Sequence, residues 1–153
     1  MATINKKGKP LGLKRPIVYT GGTFDLYHSG HAAFLERCHE IGDVVVSLNT
    51  DEFIVEYKGK APVMTYRERA AVLLSSKWVT AVVPNMGGAD SKPTIEQVRP
   101  DYVVIGSDWA RRDYYYQMGF DQDWLDERSI GLIYIPYTDG ISTTAIKARL
   151  TNG

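Results

Sequence analysis

Short runs of Val, Ile and Leu alternate along the chain with segments in which apolar residues recur at helical spacing. The apolar runs predict five strands, at 16–20, 43–49, 79–84, 101–106 and 131–136. Because their apolar character is continuous rather than alternating, they favour a parallel sheet that is covered on both faces.

Helix signals lie between the predicted strands. Ser29 can cap a helix with an apolar stripe, Thr65 and Glu68 form a T-x-x-E capping box, and Ser142 can cap the last helix. The alternation predicts an α/β fold: a Rossmann-like, doubly wound, parallel five-stranded sheet with helices on both faces. Such sheets bind ligands beyond the carboxyl ends of their strands, so we expect the functional residues in the loops that lead into helices.

Composition predicts one globular domain, 16–153, behind a flexible basic extension, 1–15. The chain has 153 residues, 44% hydrophobic and 24% charged, and its formal net charge is zero. The first 16 residues hold five basic and no acidic side chains, which leaves 13 basic and 18 acidic ones in the rest. A mildly acidic body argues against nucleic-acid binding. We expect no membrane segment and, without an apolar signal stretch, a cytoplasmic protein. Cys38, the single cysteine, falls in an apolar helical stripe, which favours a core role.

The stretch GGTFDLYHSGH, 21–31, carries the strongest chemical signal. Gly21 and Gly22 end a predicted strand, where a missing Cβ lets the backbone approach a ligand, and a helix N-terminus follows. This arrangement suits phosphate, although neither a Walker loop nor a dinucleotide fingerprint is present. His28 and His31 lie one helical turn apart and could each donate an N–H to phosphate oxygens.

Three other roles for the two histidines compete with this one. Zinc would need a third ligand, and His39 lies two turns further along the helix. A purely structural role is common for one histidine and less so for two at a glycine-rich corner. A covalent phosphohistidine would need only one of them. Stabilisation of phosphate charge fits the pair best.

The segment GTFDLYHSGH resembles the G-T-F-D-x-x-H-x-G-H signature of the nucleotidyltransferase superfamily. The segment DGISTTAIKARL, 139–150, is similar to the G-I-S-T-[ST] segment near the end of the cytidylyltransferases. The similarity covers nearly the whole body, and among the cytidylyltransferases it is greatest to those that use glycerol 3-phosphate.

The resemblance implies a role for each matched residue. His28, His31 and Lys58 would be catalytic, with the histidines stabilising a pentacovalent α-phosphorus, and Lys60 could replace Lys58 by a register slip. Arg69 would have a structural or phosphate-linked role, and Asp25 could contact a magnesium-bound water. The nucleotide would be held by residues of three loops: Gly22, Thr23, Phe24, Asp108, Trp109, Ser142, Thr143 and Thr144.

Two departures from the family pattern concern arginines. Tyr137 stands where the cytidylyltransferases carry a triphosphate-binding arginine, and Lys77 stands where they commonly carry another. The segment 110–129 is longer than in the shortest members and contains three consecutive tyrosines and two arginines. Packing is one explanation for it; the other is an acceptor pocket that prefers a small hydroxylated phosphate. We expect that pocket to use Arg111, Arg112, Tyr115, Tyr137 and Lys77.

The expected reaction is therefore transfer of a nucleotidyl group, CMP from CTP, to an alcohol phosphate such as glycerol 3-phosphate, with release of pyrophosphate. Two alternatives remain open: transfer from CTP or ATP to a sugar phosphate such as a heptose phosphate, and a nucleotide-binding module that has lost catalysis. The resemblance also implies a Mg²⁺ cofactor without a dedicated protein metal site, and a homodimer to which Trp78 contributes an apolar contact.

Overall fold

The computed structural model of the protein describes residues 12–106, 118–136 and 140–152. Within these ranges strands and helices alternate. The strands are β1 (Ile17–Gly22), β2 (Asp43–Leu48), β3 (Ala81–Pro84), β4 (Tyr102–Gly106) and β5 (Gly131–Ile135). The helices are α1 (Ser29–Ile41), α2 (Asp51–Lys58), α3 (Tyr66–Ser75), α4 (Lys92–Val98), α5 (Gln122–Glu127) and α6 (Thr143–Asn152).

The five strands form one parallel sheet in the order β3-β2-β1-β4-β5. The chain moves outward from β1 through β2 to β3, and then crosses to the other side of β1 to form β4 and β5. The direction of winding therefore reverses between β1 and β4, where doubly wound sheets bind ligands. The predicted fold class is confirmed.

Both faces of the sheet are buried, because successive residues of a strand point to opposite sides. Val18 and Tyr19, neighbours in β1, belong to two different apolar clusters. Phe34, Leu35 and Cys38 of α1 pack in the cluster that contains Val18. Cys38 is fully buried, and burial raises the pKa of its thiol to about 12. It is a core residue, as its place in the apolar stripe predicts, since a thiol that holds its proton is a poor nucleophile.

Strand boundaries differ from the prediction by at most a few residues. β1 continues through Gly21 and Gly22, which pair with Ser47 and Leu48 of β2. β3 begins at Ala81, and the buried Val79 precedes it. An apolar side chain is buried here without belonging to the strand, which the hydrophobic pattern alone cannot distinguish.

Two predicted helix caps are confirmed. Thr65 is the N-cap of α3, and its Oγ1 accepts a hydrogen bond from the backbone N–H of Glu68 at 3.3 Å. The Oγ of Ser142 accepts from the backbone N–H of Ala145, in the first turn of α6, at 3.0 Å.

The last residues of the basic extension contact the amino-terminal edge of the sheet. The backbone N–H of Lys14 donates to the carboxylate of Asp43 at 2.8 Å, and Arg15 forms an ion pair with Asp101 at 3.0 Å. These bonds hold the chain where it enters β1. No helix in the described part of the chain is long and apolar enough to cross a membrane.

Candidate active site

The loop that joins β1 to α1 has an unusual backbone. Phe24 and Leu26 have φ values of 50° and 51°, in the left-handed region that residues with a side chain rarely adopt. The ring of Phe24 is buried over Gly22, where an added Cβ would lie 2.8 Å from it. Gly22 is therefore needed for the packing of the loop itself. Strained loops of this kind concentrate at functional sites.

The two histidines at the start of α1 cap the helix. His28 is the N-cap, and its Nδ1 accepts from the backbone N–H of Gly30 at 3.0 Å. The Nδ1 of His31 accepts from the backbone N–H of His28 at 3.1 Å. Together they form a capping box in which two imidazoles replace the usual hydroxyl and carboxylate. The prediction that Ser29 caps this helix is wrong. The helix already begins at Ser29, and the His28 imidazole accepts from the backbone N–H of Gly30 in its place.

These bonds fix the tautomers of both rings. A neutral imidazole that accepts at Nδ1 carries its hydrogen on Nε2. The rings stack with their centroids 3.7 Å apart and their planes inclined by 22°. Neither Nε2 has a hydrogen-bond partner among the described residues. Each ring can therefore donate one hydrogen bond to an anion bound at this corner.

The surroundings of the histidines keep both neutral. Burial lowers the pKa of His28 below its ordinary value of 6.5. The pKa of His31 falls to about 4, chiefly through burial and further through the neighbouring His28, while Asp25 opposes the shift. Phe24 and Tyr27 contribute to this apolar environment, with ring centroids 5.2 and 5.6 Å from that of His31. At neutral pH the site offers N–H donors without a positive charge.

Asp25 fixes the loop to the segment that follows α2. Its carboxylate is buried and accepts from the backbone N–H groups of Val63 at 2.8 Å and Met64 at 2.9 Å. Both of its oxygens are thus used within the protein. Asp25 positions the loop, and the expected contact to a magnesium-bound water has no support in this arrangement.

Lys58 and Lys60 lie in the exposed turn between α2 and that anchored segment. Lys58 is the last residue of α2, and Gly59, with φ of 78°, ends the helix. Val63 and Met64 then return the chain to Asp25. The turn is held at both ends, and its lysine side chains project into solvent.

The start of α6 lies against the histidine loop. The hydroxyl of Thr143 donates to the backbone carbonyl of Asp25 at 2.8 Å, across 118 residues of sequence. An added Cβ on Gly30 would lie 3.0 Å from Cγ2 of Ile141. The two corners that the sequence offers for phosphate are therefore adjacent. Ser142 caps α6, Thr143 joins the loops, and Thr144 is exposed.

Arg69 is a buried hub beneath these loops. Its side chain is fully buried, and its guanidinium donates to the backbone carbonyls of Met64, Thr23 and Asn49 at 2.9–3.0 Å. It also forms a 2.6 Å ion pair with Asp51 at the start of α2. Of the two roles that the resemblance implies, the geometry supports the structural one.

Asn49 and Asn85, which form a row of polar side chains with the predicted Thr23 beside the histidine loop, were missed by the sequence reasoning. Thr23, Asn49 and Asn85 directly follow β1, β2 and β3. The Nδ2 of Asn85 donates to Oδ1 of Asn49 at 2.9 Å, and the Nδ2 of Asn49 donates to Oγ1 of Thr23 at 3.1 Å. The available signal was an Asn immediately after each of two buried strands, because the carboxyl ends of parallel strands meet at one edge.

Several predicted site residues do not join this corner. Lys77 lies between α3 and β3, at the amino-terminal edge of the sheet, with its Nζ 4.5 Å from the ring centroid of Trp78. The loop between a helix and the next parallel strand is always at the opposite edge from the histidine loop, so within this chain Lys77 is not part of the site. The remaining ones lie outside the described residues: Asp108, Trp109, Arg111, Arg112, Tyr115 and Tyr137.

The described groups at the corner suit an anion. The imidazole Nε2–H groups are unbonded donors, and the one buried carboxylate, Asp25, is already bonded. Among the described residues no group of three or more His, Cys, Asp or Glu side chains is placed to hold a metal ion.

The arrangement was compared with known proteins. The model of the Cytidylyltransferase-like family matches residues 19–149. The chain is 37% identical over 139 residues to glycerol-3-phosphate cytidylyltransferase of Staphylococcus aureus, over 90% of this chain and 96% of that one. It is 35% identical over 150 residues to FAD synthase of Pyrococcus abyssi, over 92% and 95% of the two chains.

A solved structure agrees with these matches. The lipopolysaccharide core biosynthesis protein from Thermoplasma volcanium superposes with a TM-score of 0.64 at 25% identity, over 80% of this chain and 98% of that one. The family model spans both loops that form the corner, and the curated relatives match nearly from end to end. The chain is therefore an enzyme of the cytidylyltransferase-like family.

Proposed function

We propose that the protein transfers CMP from CTP to an alcohol phosphate, glycerol 3-phosphate in the first instance, and releases pyrophosphate. The observation that carries this proposal is the stacked pair of neutral imidazoles, each with an unbonded Nε2–H, in the loop that contacts the start of α6. The choice of substrates is supported by the 37% identity to a glycerol-3-phosphate cytidylyltransferase.

The reaction needs only donors from the protein. An oxygen of the acceptor phosphate forms a bond to the α-phosphorus, and the bond from that phosphorus to the oxygen of the departing pyrophosphate breaks in line. Negative charge grows on the oxygens of the α-phosphorus, where preorganised N–H donors stabilise it. Because the pKa of His31 is about 4, we assign it hydrogen-bond donation and not proton transfer at neutral pH.

The other predicted site residues have supporting roles in this proposal. Lys58, in its exposed turn, would reach the reacting phosphates, and the free amides at the start of α6 would bind the triphosphate. Since the described residues provide no cage for a cation, we expect Mg²⁺ to enter with the phosphates of the nucleotide, as it commonly does. Arg111, Arg112, Tyr115 and Tyr137 would contact the acceptor. A homodimer stays a prediction from the resemblance.

A second reaction of the same type has support in the comparisons. The FAD synthase relative, 35% identical over almost its whole length, has a name that implies a different product. Adenylyl or cytidylyl transfer to another phosphate, a sugar phosphate included, would use the same two imidazoles. A binding module without catalysis is disfavoured because both Nε2–H groups are retained.

The substrates are tested by pyrophosphate release, with the four common ribonucleoside triphosphates crossed with glycerol 3-phosphate, choline phosphate, ethanolamine phosphate and heptose phosphates. We expect turnover with CTP and glycerol 3-phosphate, and none without an acceptor. A faster rate with ATP or a sugar phosphate would favour the second reaction. A nucleotidylated enzyme formed without acceptor would contradict the one-step mechanism.

The same assay tests the histidines. His28→Ala and His31→Ala should each lower kcat by about 100- to 1,000-fold, the usual effect of removing one preorganised donor. His39→Ala, on the exposed surface of α1, is the matched control and should retain the rate. Circular dichroism establishes that each variant is folded, and near-normal rates in folded His28 and His31 variants would reject the proposal.

A further inference from the structure

We infer that Asn49 and Asn85 are positioning residues that orient the hydroxyl of Thr23 as a hydrogen-bond donor toward the bound phosphates. The inference rests on the proposed function only for the presence of a phosphate ligand at the histidine loop. It concerns two residues outside the family motifs quoted above.

The three side chains lie in one row along the carboxyl edge of the sheet. The backbone N–H of Asn49 donates to the carbonyl of Gly22, and that of Asn85 donates to the carbonyl of Leu48, each at 2.9 Å. These bonds extend the pairing of β1, β2 and β3 by one step. Thr23, Asn49 and Asn85 are therefore held at neighbouring positions by the backbone, before any side chain is considered.

The direction of the side-chain bonds is fixed at one end of the row. The Nδ2 of Asn85 donates to the backbone carbonyl of Gly88 at 2.8 Å, and a carbonyl can only accept. The same Nδ2 also donates to Asn49, so the atom of Asn49 that faces it must be Oδ1. The Nδ2 of Asn49 then faces Thr23, whose Oγ1 must accept.

The consequence for Thr23 follows from counting protons. A hydroxyl carries one proton, and an Oγ1 that accepts from Asn49 keeps that proton free to donate elsewhere. Among the described residues no acceptor for it is present. Thr23 lies in the same loop as the two histidines, so the free O–H is available to an oxygen of the ligand that they bind.

A contribution to stability does not explain why the Asn85 side chain is oriented in this way. Its Oδ1 is buried and accepts no hydrogen bond among the described residues. A buried, unpaired polar atom is a cost to folding. The orientation of the Asn85 amide is therefore explained by its two Nδ2 hydrogen bonds. They determine which atoms of Asn49 and Thr23 donate and which accept.

A double-mutant cycle between Thr23→Val and Asn85→Asp tests the inference. The carboxylate of the Asp variant cannot donate, so Asn49 must turn its Nδ2 toward position 85 and its Oδ1 toward Thr23. The Thr23 hydroxyl then donates to Asn49 and is lost to the ligand. Thr23→Val should lower kcat/KM for the nucleotide by about 10- to 100-fold in the wild-type background and leave it unchanged in the Asn85→Asp background.

The added charge of Asn85→Asp does not affect the conclusion, because the effect of Thr23→Val is measured between two proteins that both carry that charge. Asn49→Asp is a second variant in case the first does not fold: its carboxylate accepts from Asn85 and from Thr23, and it should remove the effect of Thr23→Val in the same way. Thr94→Val is the matched control. Thr94 Oγ1 accepts from the backbone N–H of Met86 and steadies the same loop, at 3.1 Å, without touching the row.

The expected result is that Thr23→Val has its full effect in the Thr94→Val background and none in either Asp background. An equal effect of Thr23→Val in all backgrounds would overturn the inference. Titration calorimetry with CTP and with ATP is run on every variant. Coupling seen in nucleotide affinity without turnover of any acceptor would retain the inference and reject the proposed reaction, whereas a wild-type protein that binds neither nucleotide would reject both.

Discussion

At the scale of single residues, the histidines combine structure and chemistry in one side chain each. The Nδ1 atoms of His28 and His31 satisfy backbone N–H groups at the start of α1, and this leaves the Nε2–H groups for a ligand. A proton added at Nδ1 would break the capping bond. Burial and capping therefore both favour the neutral ring, and the site gains donors whose orientation is fixed by the helix.

The stability of the protein should depend on pH through His31. Its folded pKa of about 4 lies below the ordinary 6.5, so the unfolded chain binds more protons between these values. The free energy of unfolding should then fall as pH falls from 6.5 to about 4. In His31→Gln, whose amide oxygen can still accept from His28, the loss between pH 7 and pH 4.5 should be smaller by about 2 kcal/mol in urea unfolding.

His39→Gln serves as the control, because His39 is exposed at the other end of α1. It should keep the pH dependence of the wild type. An equal loss of stability in His31→Gln and in the wild type would contradict the assignment of a buried, neutral His31.

At the scale of elements, α3 holds three loops in place through one side chain. Arg69 joins the β1–α1 loop, the β2–α2 loop and the segment before α3 with four hydrogen bonds. Two of those loops carry residues of the candidate site. A buried guanidinium is suited to this because its rigid donors reach several carbonyls at once.

Arg69→Met should destabilise the protein by about 3–5 kcal/mol, because it leaves the carbonyls of Thr23, Asn49 and Met64 and the Asp51 carboxylate without their donor. Arg67→Met, on the exposed face of the same helix, should change the free energy of unfolding by at most about 0.5 kcal/mol. Urea denaturation of both variants makes the comparison. A cost below about 1 kcal/mol for Arg69→Met would show that the loops hold their places without it.

At the scale of the whole molecule, the candidate site is assembled from the two ends of the described chain. The histidine loop follows the first strand, and α6 follows the last one. The bond from Thr143 to the carbonyl of Asp25 and the contact between Gly30 and Ile141 bring them together. Nucleotide binding should therefore depend on a hydrogen bond that need not touch the nucleotide.

Thr143→Val removes that bond and should weaken nucleotide binding by about 2- to 10-fold, the range expected for one neutral hydrogen bond. Thr151→Val, at an exposed position near the far end of α6, is the matched control and should have no effect. Titration calorimetry with CTP measures both. If the Thr151 variant lost as much affinity as the Thr143 variant, the link between the two corners would not be the cause.

The sequence by itself determined the fold and which of its corners lie next to each other. Five apolar runs separated by amphipathic segments specify a doubly wound sheet, because hydrophobic periodicity is a local signal that recurs in every element. The GTFDLYHSGH and GISTT motifs were placed correctly at neighbouring corners, since the carboxyl ends of parallel strands share one edge. The cap at Thr65 is also a local feature and was predicted.

The tertiary structure decided how the polar groups are used. Two of these uses depend on partners far away in sequence: the Thr23 hydroxyl is left free to donate by Asn49 and Asn85, and Arg69 bonds the carbonyls of distant loops. The hydrogen positions on the imidazoles depend on capping bonds within the loop, which form only in the folded backbone. Lys77, which stands where the family commonly carries an arginine, lies at the opposite edge. A hydrogen bond has a direction and a length limit, and only packing sets these for residues that the chain brings together from distant positions.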